Sequence, residues 1–263
     1  MTFKIIRNRA SNGAKNLAVA LNCKRNKLGV WPPRIFNNDR VIINWGCSKP
    51  LPTSITANGR TLLNKPEAVS RAANKLNTFN TLKTHNDIRI PKFYTQQDFN
   101  VVKERLNSPD RIVFVARSLL SGHSGQGITI LRNGNTIPND TKVVVEYIKK
   151  QAEYRAHVAM GRMILLAQKR KRSNTEQTQD QQLIRSCDNG WVHAINNVDP
   201  PPEGLELMCI KAVQYLGLDF AAVDVIVSQD GKVYILEVNT APGIEGDTTI
   251  KVYKKAFKSL ELS

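Results

Sequence analysis

The sequence lacks any hydrophobic run long enough to cross a bilayer. Its longest apolar stretches have the length of β-strands, whereas a membrane-spanning helix needs about 20 apolar residues. Residues 1–9 contain no basic and apolar leader with a small-residue cleavage site, so we expect no secretion. The few cysteines match no zinc or CxxC spacing, which favours reduced thiols and a cytoplasmic protein without a membrane partner. They are Cys23, Cys47, Cys187 and Cys209.

Acidic residues are almost absent from residues 1–60, which contain eleven Lys and Arg against the single acid Asp39. Residues 199–263 have a different balance, with ten acids against six lysines. Over the whole chain, 38 basic and 22 acidic side chains give a formal net charge of +16. This asymmetry suggests that the front of the chain attracts an anion and that the back holds a cation. The alternative is that the positive charge only keeps the protein soluble.

The chain has 263 residues, 41% of them hydrophobic, and can therefore bury a sizeable core. This composition excludes a wholly disordered chain. We divide them into three blocks, residues 1–63, 64–141 and 142–263. The first block alternates short α and β patterns, and its buried-strand run at 41–46 ends in a glycine. Ligands bind at such carboxyl ends of strands in open α/β sheets, so Asn44–Cys47 is a candidate substrate-binding loop.

The second block opens with a predicted helix that carries one apolar face from Val69 to Leu82. Asn64 is its expected cap, and Glu67 completes a capping box. Asp98 is expected to cap a shorter helix that runs to Leu106. Two strands, 111–117 and 127–131, then flank a segment rich in glycine and serine. We predict a mobile flap whose amides, among them those of Gly122, Gly125 and Gly127, approach phosphate oxygens.

The third block begins with a strand at 143–148 and a strand pair at 154–160 and 163–168. A polar stretch at 169–190 is expected to be partly disordered or to become ordered over a ligand. A helix at 203–216 follows it.

An Asp-Gly pair at 230–231 separates two β-rich runs and predicts a hairpin with a two-residue turn. Such a turn pairs residues whose numbers sum to 461, so Asp224 and Glu237 lie directly opposite each other. Asn239 shares their face, because side chains alternate along a strand. The opposite face is predicted to be core. It consists of Val223, Val225 and Val227 against Tyr234, Leu236 and Val238.

Two like charges directly opposite each other destabilise a sheet by about 0.2–1 kcal/mol unless a partner neutralises them. Two carboxylates and an amide oxygen suit Mg²⁺, so Asp224, Glu237 and Asn239 are candidate metal ligands. The alternative is that each acid pairs with a lysine or an arginine.

At these residues the sequence resembles the ATP-grasp superfamily, closest to the carboxylate–amine ligases that include the ribosomal-protein glutamate ligases. Leu236–Gly243 is similar to the metal-binding strand and turn of that family. The resemblance covers residues 64–250 and implies an α+β fold in which two subdomains bind ATP between antiparallel sheets. A small α/β domain precedes them at 1–63, and the subdomains are 64–141, with the flap, and 142–263, with the metal site.

The resemblance also implies roles for single residues. Lys75 matches a phosphate-binding lysine, Glu146, Tyr147 and Ile148 match a hinge strand that contacts adenine, and Glu153 matches a ribose-binding acid. Arg155, Arg170, Arg185 and Asn189 lie near positions that hold phosphates or the acyl intermediate. In the family, the strand before the flap usually ends with a lysine, whereas this chain has Arg117 at that position. A guanidinium can bind phosphate through two parallel hydrogen bonds, whereas an ammonium group acts as a point charge.

The implied function is an ATP-dependent ligase that uses one or two Mg²⁺ ions, with Mn²⁺ as the alternative ion. It joins a small-molecule or peptide carboxylate to an amine through an acyl phosphate, and the basic front suggests that one substrate is acidic. Two alternatives stay open: an ATP-grasp enzyme of another reaction type, such as a kinase, or a nucleic-acid-associated ATP-binding protein. For nucleic acid, only Trp31 and Trp45 offer aromatic platforms in the basic block.

Overall fold

The computed structural model describes residues 2–8, 10–27, 40–56, 59–121, 125–244 and 246–261. These residues form one parallel sheet of four strands and two antiparallel sheets, one of four and one of five strands. A small parallel α/β unit therefore precedes two antiparallel sheets, which confirms the predicted α+β class. Within the described ranges, no helix is long and apolar enough to span a membrane.

The first sheet has its strands in the order β2-β1-β3-β4. Its third strand is buried at all five positions, as expected for a strand that is covered on both faces. Trp45 in that strand is only 1% exposed and offers no platform for a base, while Trp31 lies outside the described residues. The elements of this unit are β1 (Phe3–Arg7), α1 (Asn12–Ala20), β2 (Lys24–Lys27), β3 (Val41–Trp45), α2 (Thr53–Thr56) and β4 (Thr61–Leu63).

The second sheet has the strand order β5-β8-β6-β7 and a core formed with the helix that precedes its two central strands. Asp98 is the N-cap residue of that helix, as predicted, but its side chain makes no capping hydrogen bond to it. Its carboxylate instead accepts hydrogen bonds from the amide and hydroxyl of Thr95, at 3.0 and 2.8 Å. The elements are β5 (Phe93–Tyr94), a 3₁₀ turn (Gln96–Asp98), α5 (Phe99–Leu106), β6 (Phe114–Arg117), β7 (Ile128–Leu131) and β8 (Val143–Glu146).

The third sheet has the order β11-β10-β9-β12-β13, and strand β12, which lies between β9 and β13, is buried at every position. One face packs against helices in the largest apolar core, and the other faces the candidate site. The predicted polar stretch 169–190 continues a strand and then forms a helix. The elements are β9 (Lys150–Ala159), β10 (Arg162–Lys171), α6 (Gln179–Leu183), β11 (Trp191–Ala194), α7 (Leu205–Tyr215), β12 (Phe220–Ser228), β13 (Val233–Asn239), α8 (Asp247–Lys258) and a 3₁₀ turn (Ser259–Glu261).

Asn64 does not cap a helix, which corrects the prediction. Its side chain is buried and joins the first unit to the start of β12. Nδ2 donates to the carbonyl oxygen of Phe220 at 2.9 Å, and Oδ1 accepts from the amides of Asp219 and Phe220 at 2.8 and 3.2 Å. The backbone of Asn64 has a φ of +59°, a region that asparagine tolerates better than most residues. The capping box with Glu67 is absent, since the N-cap of the helix is Lys65.

The long apolar helical face predicted from Val69 to Leu82 is divided between two helices, α3 (Pro66–Ala73) and α4 (Lys75–Leu82). Asn74 separates them with an extended backbone, and its side chain caps α4 by accepting from the amide of Asn77 at 3.1 Å. The break places Lys75 in the first turn of α4, with its side chain buried.

The hairpin between β12 and β13 has the predicted opposition of Asp224 and Glu237, but its turn is different. The amide of Gly231 donates to the carbonyl oxygen of Ser228, and the amide of Ser228 donates to that of Lys232. The loop therefore contains three residues, with Gly231 at a φ of +77°. The strand pairs next to the loop sum to 460, and a β-bulge restores 461 at Asp224 and Glu237.

The bulge also corrects the predicted core face. Leu236 is the extra residue and lines the candidate site, and Tyr234 lies outside the largest core cluster. The residues of this hairpin that do belong to the core are Val223, Val225, Val227, Val233, Ile235 and Val238.

Candidate active site

A cavity of about 330 Å³ lies between the second and third sheets. Cavities that bind small molecules and cofactors generally have volumes of about 300–1,000 Å³. Strands of both sheets supply its walls. Its apolar surface comes mainly from Val115, Ile128, Ile130, Val145, Leu183, Ile184, Ile226 and Leu236. Six cationic side chains also line it: Lys75, Arg117, Lys150, Arg155, Lys169 and Arg185.

The predicted metal ligands Asp224, Glu237 and Asn239 all line this cavity. Asp224 and Glu237 are opposite each other on β12 and β13, and Asn239 follows two residues later on β13. Carboxylate and amide oxygens are hard donors of the kind that Mg²⁺ prefers, so the donor set fits this ion. No group of three or more His, Cys, Asp or Glu side chains with metal-binding geometry occurs in the described part of the chain.

Asp224 also has a cationic partner. The alternative to a metal site predicted such a partner for each of the two acids. Arg155 lies opposite it on β9 and donates from Nε to Oδ1 at 2.6 Å and from Nη2 to Oδ2 at 2.8 Å. Burial raises the pKa of Asp224, but the charge and hydrogen bonds of Arg155 outweigh burial, and the pKa lies well below its ordinary value. The Asp224 carboxylate is therefore ionised and held in a fixed orientation.

Glu237 has a looser partner in Lys75, whose Nζ lies 3.4 Å from Oε2 and donates to the carbonyl oxygen of Leu236 at 3.0 Å. Burial lowers the pKa of Lys75 to about 8, and the charge of Arg117 adds to the decrease, against the opposing effect of Glu237. Burial also lowers the pKa of Arg117, the last residue of β6. These two cations line the same part of the cavity as the acids.

Glu153, the predicted ribose-binding acid, is 2% exposed and contacts two lysines of the cavity wall. Lys169 Nζ lies 2.6 Å from Oε1, and Lys150 Nζ lies 3.2 Å from Oε2. Burial raises the pKa of Glu153, but the two lysine charges outweigh it, and the pKa is lowered. Glu153 thus serves in this structure as the shared counter-ion of Lys150 and Lys169.

The predicted hinge residues Glu146, Tyr147 and Ile148 line the cavity directly after β8. The carboxylate of Glu146 accepts a hydrogen bond from the Tyr94 hydroxyl at 2.6 Å and pairs with Arg105. These contacts fix the side chain of Glu146 and the end of the strand that precedes the hinge.

The predicted flap is described in part, since Gly122 lies outside the described residues. Gly125 lines the cavity with a φ of +79°, and a Cβ at this position would lie 3.2 Å from Cγ2 of Ile184. Gly127 is not among the lining residues. Its carbonyl oxygen accepts from the amide of Ser118 and closes the base of the flap. The flap therefore contacts the segment that follows α6.

Two of the three predicted catalytic residues do not line the cavity. The guanidinium of Arg170 donates to Gln168 Oε1 and lies 3.2 Å from Asp199 Oδ1, and the Asn189 side chain donates to the carbonyl oxygen of Ile184 at 2.7 Å. Arg185 does line the cavity, with its guanidinium 4.5 Å from the centre of the Trp191 ring.

Sequence reasoning missed Lys150, Lys169 and Cys187, which also line the cavity. It also missed the pairing of Arg155 with Asp224. A signal for Lys169 and Arg155 was present in the alternation of β9 and β10, whereas Lys150 lies beyond a register shift that alternation does not predict. Glu153 and Arg155 are two residues apart and therefore share one face of β9, on which Lys169 of β10 also lies. What the sequence did not supply is the pairing of β9 with β12.

Comparison with known proteins identifies the fold that carries this cavity. Residues 135–262 match the family model described as the D-ala D-ala ligase C-terminus. The solved structure of the ATP-grasp ligase PsnB complexed with minimal precursor, Mg and ADP superposes with a TM-score of 0.67 at 10% identity, covering 99% of this chain and 98% of that chain. This chain has the ATP-grasp fold.

Two further proteins agree with that result. The D-alanine–D-alanine ligase from Bacillus anthracis superposes with a TM-score of 0.68 at 15% identity, covering 100% of this chain and 98% of the other. A probable alpha-L-glutamate ligase from Saccharophagus degradans is 25% identical over 205 residues, which are 72% of this chain and 62% of the relative. The chain thus spans less than two thirds of the length of that relative. The resemblance to ATP-grasp carboxylate–amine ligases is confirmed.

Proposed function

We propose that this chain is an ATP-dependent ligase that joins a carboxylate to an amine. The observation that carries the proposal is the composition of the cavity. Three oxygen donors, Asp224, Glu237 and Asn239, share it with six cationic side chains and an apolar wall. An apolar wall suits an adenine ring, and the cations suit a polyphosphate. Four acids line the same cavity, and each of them has a cationic partner.

In this proposal Asp224, Glu237 and Asn239 hold Mg²⁺, which supplies charge neutralisation for the phosphates of ATP. Lys75 and Arg117, which lie beside these acids, bind further phosphate oxygens, and the flap amide at Gly125 covers the phosphates. Val115, Ile130 and Val145 provide apolar contact for adenine. Tyr147 and Ile148 present the backbone of the hinge to its edge.

The reaction that we propose has two balanced steps. A substrate carboxylate oxygen attacks the γ-phosphorus of ATP, the bond to the β-phosphate oxygen breaks, and an acyl phosphate and ADP form. An amine nitrogen then attacks the acyl carbon, loses a proton, and expels inorganic phosphate to leave an amide. Arg185, at the cavity wall, stabilises negative charge on the acyl oxygen. Phosphoryl transfer depends mainly on positioning and charge neutralisation, which this cavity supplies.

For the substrates, the relatives suggest two classes. One relative is named a glutamate ligase and one structural neighbour binds a precursor, so we propose an amino acid such as glutamate as one substrate and a peptide or small molecule as the other. The four cysteines of the chain are free thiols, which fits a reducing, cytoplasmic compartment.

The test is a screen of amino acids and amines in pairs with Mg-ATP and the full chain, with ADP release and product mass as readouts. ADP release that requires both a carboxylate and an amine supports the proposal. ADP release that requires only one acceptor favours an ATP-grasp enzyme of another reaction type. Salt-dependent retention on nucleic acid without any paired turnover favours the nucleic-acid-associated alternative.

The variant Glu237→Gln tests the metal ligands in the same assay. It removes one anionic oxygen donor and should lower turnover by at least about 100-fold, because neutralisation of the phosphates is lost. Glu206→Gln is the matched control, since Glu206 is exposed in the first turn of α7 and lines no part of the cavity. Turnover at the wild-type rate in Glu237→Gln would remove the metal assignment.

A further inference from the structure

The two acids of the cavity differ in how completely they are neutralised. Both oxygens of Asp224 accept hydrogen bonds from one guanidinium, that of Arg155, at 2.6 and 2.8 Å. The side chains of this pair are 9% and 18% exposed. Glu237 is 32% exposed, and among the residues that the structure describes only its Oε2 has a cation within ion-pair distance, Lys75 Nζ at 3.4 Å. Both oxygens of Asp224 are therefore occupied by a bidentate ion pair, whereas Glu237 is accessible from the cavity.

A cation that approaches Asp224 meets a fixed positive charge. The guanidinium of Arg155 always carries its charge, and two positive charges a few ångströms apart repel each other strongly in a cavity of reduced dielectric constant. The guanidinium must release at least one oxygen of Asp224 before that oxygen can ligate a metal. Release without a new partner leaves a buried charge unpaired, which is strongly unfavourable.

The register of the sheet limits where the guanidinium can go. Arg155 lies on the central strand pair, directly opposite Asp224, and both side chains line the cavity. The other acid within the same face of β9, Glu153, already pairs with Lys150 and Lys169. Glu237 is the remaining acid that acts on Arg155, but it is itself a proposed ligand of the ion. A partner that accepts the guanidinium and leaves both ligands free is thus an anion that enters the cavity.

We propose that Arg155 is a built-in counter-ion that keeps Asp224 closed to metal ions until a polyphosphate enters the cavity. The phosphate then binds the guanidinium in place of Asp224. Asp224 becomes free to ligate the metal ion that accompanies the polyphosphate. Arg155 is in this respect a positioning residue for the metal ligand. The proposal rests on the proposed function, because it assumes that the incoming anion is a nucleotide. It makes metal binding and nucleotide binding cooperative, and the coupling is reciprocal.

The experiment measures the binding of Mn²⁺ to the full chain by the electron paramagnetic resonance signal of the free ion, with and without a non-hydrolysable ATP analogue. Wild-type protein should bind Mn²⁺ weakly alone and much more tightly with the analogue. In Arg155→Met the affinity for Mn²⁺ alone should increase by about tenfold or more, because a fixed charge next to the ligand is removed. The enhancement by the analogue should decrease correspondingly.

Arg185→Met is the matched control, since it removes the same charge from the same cavity. The guanidinium of Arg185 lies over the Trp191 ring rather than on Asp224. Its removal should change the affinity for Mn²⁺ alone by less than about threefold. An unchanged or weaker affinity in Arg155→Met, or an equal increase in both variants, would overturn the proposal.

Asp224→Asn provides a second measurement that does not depend on the folding of Arg155→Met. This substitution frees the guanidinium, so the affinity for the ATP analogue without any divalent ion should increase by several fold. An unchanged or reduced affinity contradicts the proposal. The Mn²⁺ titrations without nucleotide do not depend on turnover, so a lack of amine-dependent ADP release overturns the proposed function but leaves this inference standing. A wild-type protein that shows no coupling between Mn²⁺ and the analogue overturns the inference alone.

Discussion

The ammonium group of Lys75 donates a hydrogen bond to the carbonyl oxygen of Leu236 across 3.0 Å. Leu236 is the extra residue of the β-bulge in β13, and Lys75 is the first residue of α4. The bulge and the helix break at Asn74 thus meet at one contact. That contact holds a buried cation beside the two acids of the cavity.

Lys75→Met should weaken the binding of a nucleotide without lowering the stability of the fold. We expect the affinity for an ATP analogue to fall by at least about tenfold, because a cation beside the phosphates is lost. The free energy of unfolding should stay within about 1 kcal/mol or increase, since burial disfavours the charged lysine, as its lowered pKa indicates. Calorimetric titration and urea unfolding measure the two quantities. Lys83→Met, at the exposed end of α4, is the control; a parallel loss in both variants would contradict the expectation.

Gly46→Ala should destabilise the protein by about 1–3 kcal/mol. Gly46 has a φ of +77°, and a Cβ there would lie 2.8 Å from the Cβ of Ala241. The second substitution Ala241→Gly removes that contact, so the double variant should regain part of the lost stability and retain only the cost of the backbone conformation. Urea unfolding of the four proteins in this double-mutant cycle measures the coupling. Independent, additive effects would show that the close approach is not the cause.

Asn64→Ala should cost about 2–4 kcal/mol, because it leaves the amides of Asp219 and Phe220 and the carbonyl oxygen of Phe220 without their side-chain partner. Asn74→Ala removes only an exposed helix cap and should cost about 1 kcal/mol. Chemical unfolding measures both. Equal losses would mean that the hydrogen bonds of Asn64 to the start of β12 contribute no more to stability than an exposed helix cap.

The stability should fall with acid because of His157, whose Nδ1 lies 3.0 Å from the Tyr253 hydroxyl. Burial lowers the pKa of His157 from 6.5 to about 3, and the charge of Arg155 adds to the decrease. Between these two values the unfolded chain binds a proton that the native protein does not bind. The free energy of unfolding therefore decreases as pH falls below 6.5, by up to about 1.4 kcal/mol per pH unit from this group.

Urea unfolding at pH 7 and pH 5 measures this dependence. His157→Gln keeps a polar neighbour for Tyr253 but cannot titrate, so the loss between the two pH values should be smaller by about 2 kcal/mol than in wild-type protein. His85→Gln, at a histidine that stacks on Tyr215, should keep the wild-type loss. An identical pH dependence in His157→Gln and wild-type protein would exclude His157 as the cause.

The sequence predicted the features that depend on local patterns. Alternation and an Asp-Gly turn were enough to predict the hairpin and the opposition of Asp224 and Glu237. The three-residue loop and the compensating bulge were not predicted, because the same Asp-Gly pair also fits a three-residue loop with its glycine at a positive φ. The prediction of the pair was right even though the turn that led to it was wrong.

The remaining parts of the site depend on contacts between distant segments. Asn64 has the sequence context of a helix cap, yet its partners lie 155 and 156 residues away, at Asp219 and Phe220. Arg155 became the partner of Asp224 through a strand pairing that no local pattern encodes. Arg170 has the sequence neighbourhood of a catalytic arginine, but Gln168 and Asp199 hold it outside the cavity.

Because of the bulge in β13, the length of the turn determines which apolar residue lines the cavity wall, but not which acids lie opposite each other. A variant whose hairpin closed with two residues would still place Asp224 opposite Glu237, but Leu236 would then pair with Val225 and turn into the core, and Ile235 would replace it at the wall. Lys75 would lose its present acceptor as well. Changing this turn from three residues to two without deleting a residue would therefore keep both acids in register and yet alter the packing around the cavity wall and the lysine.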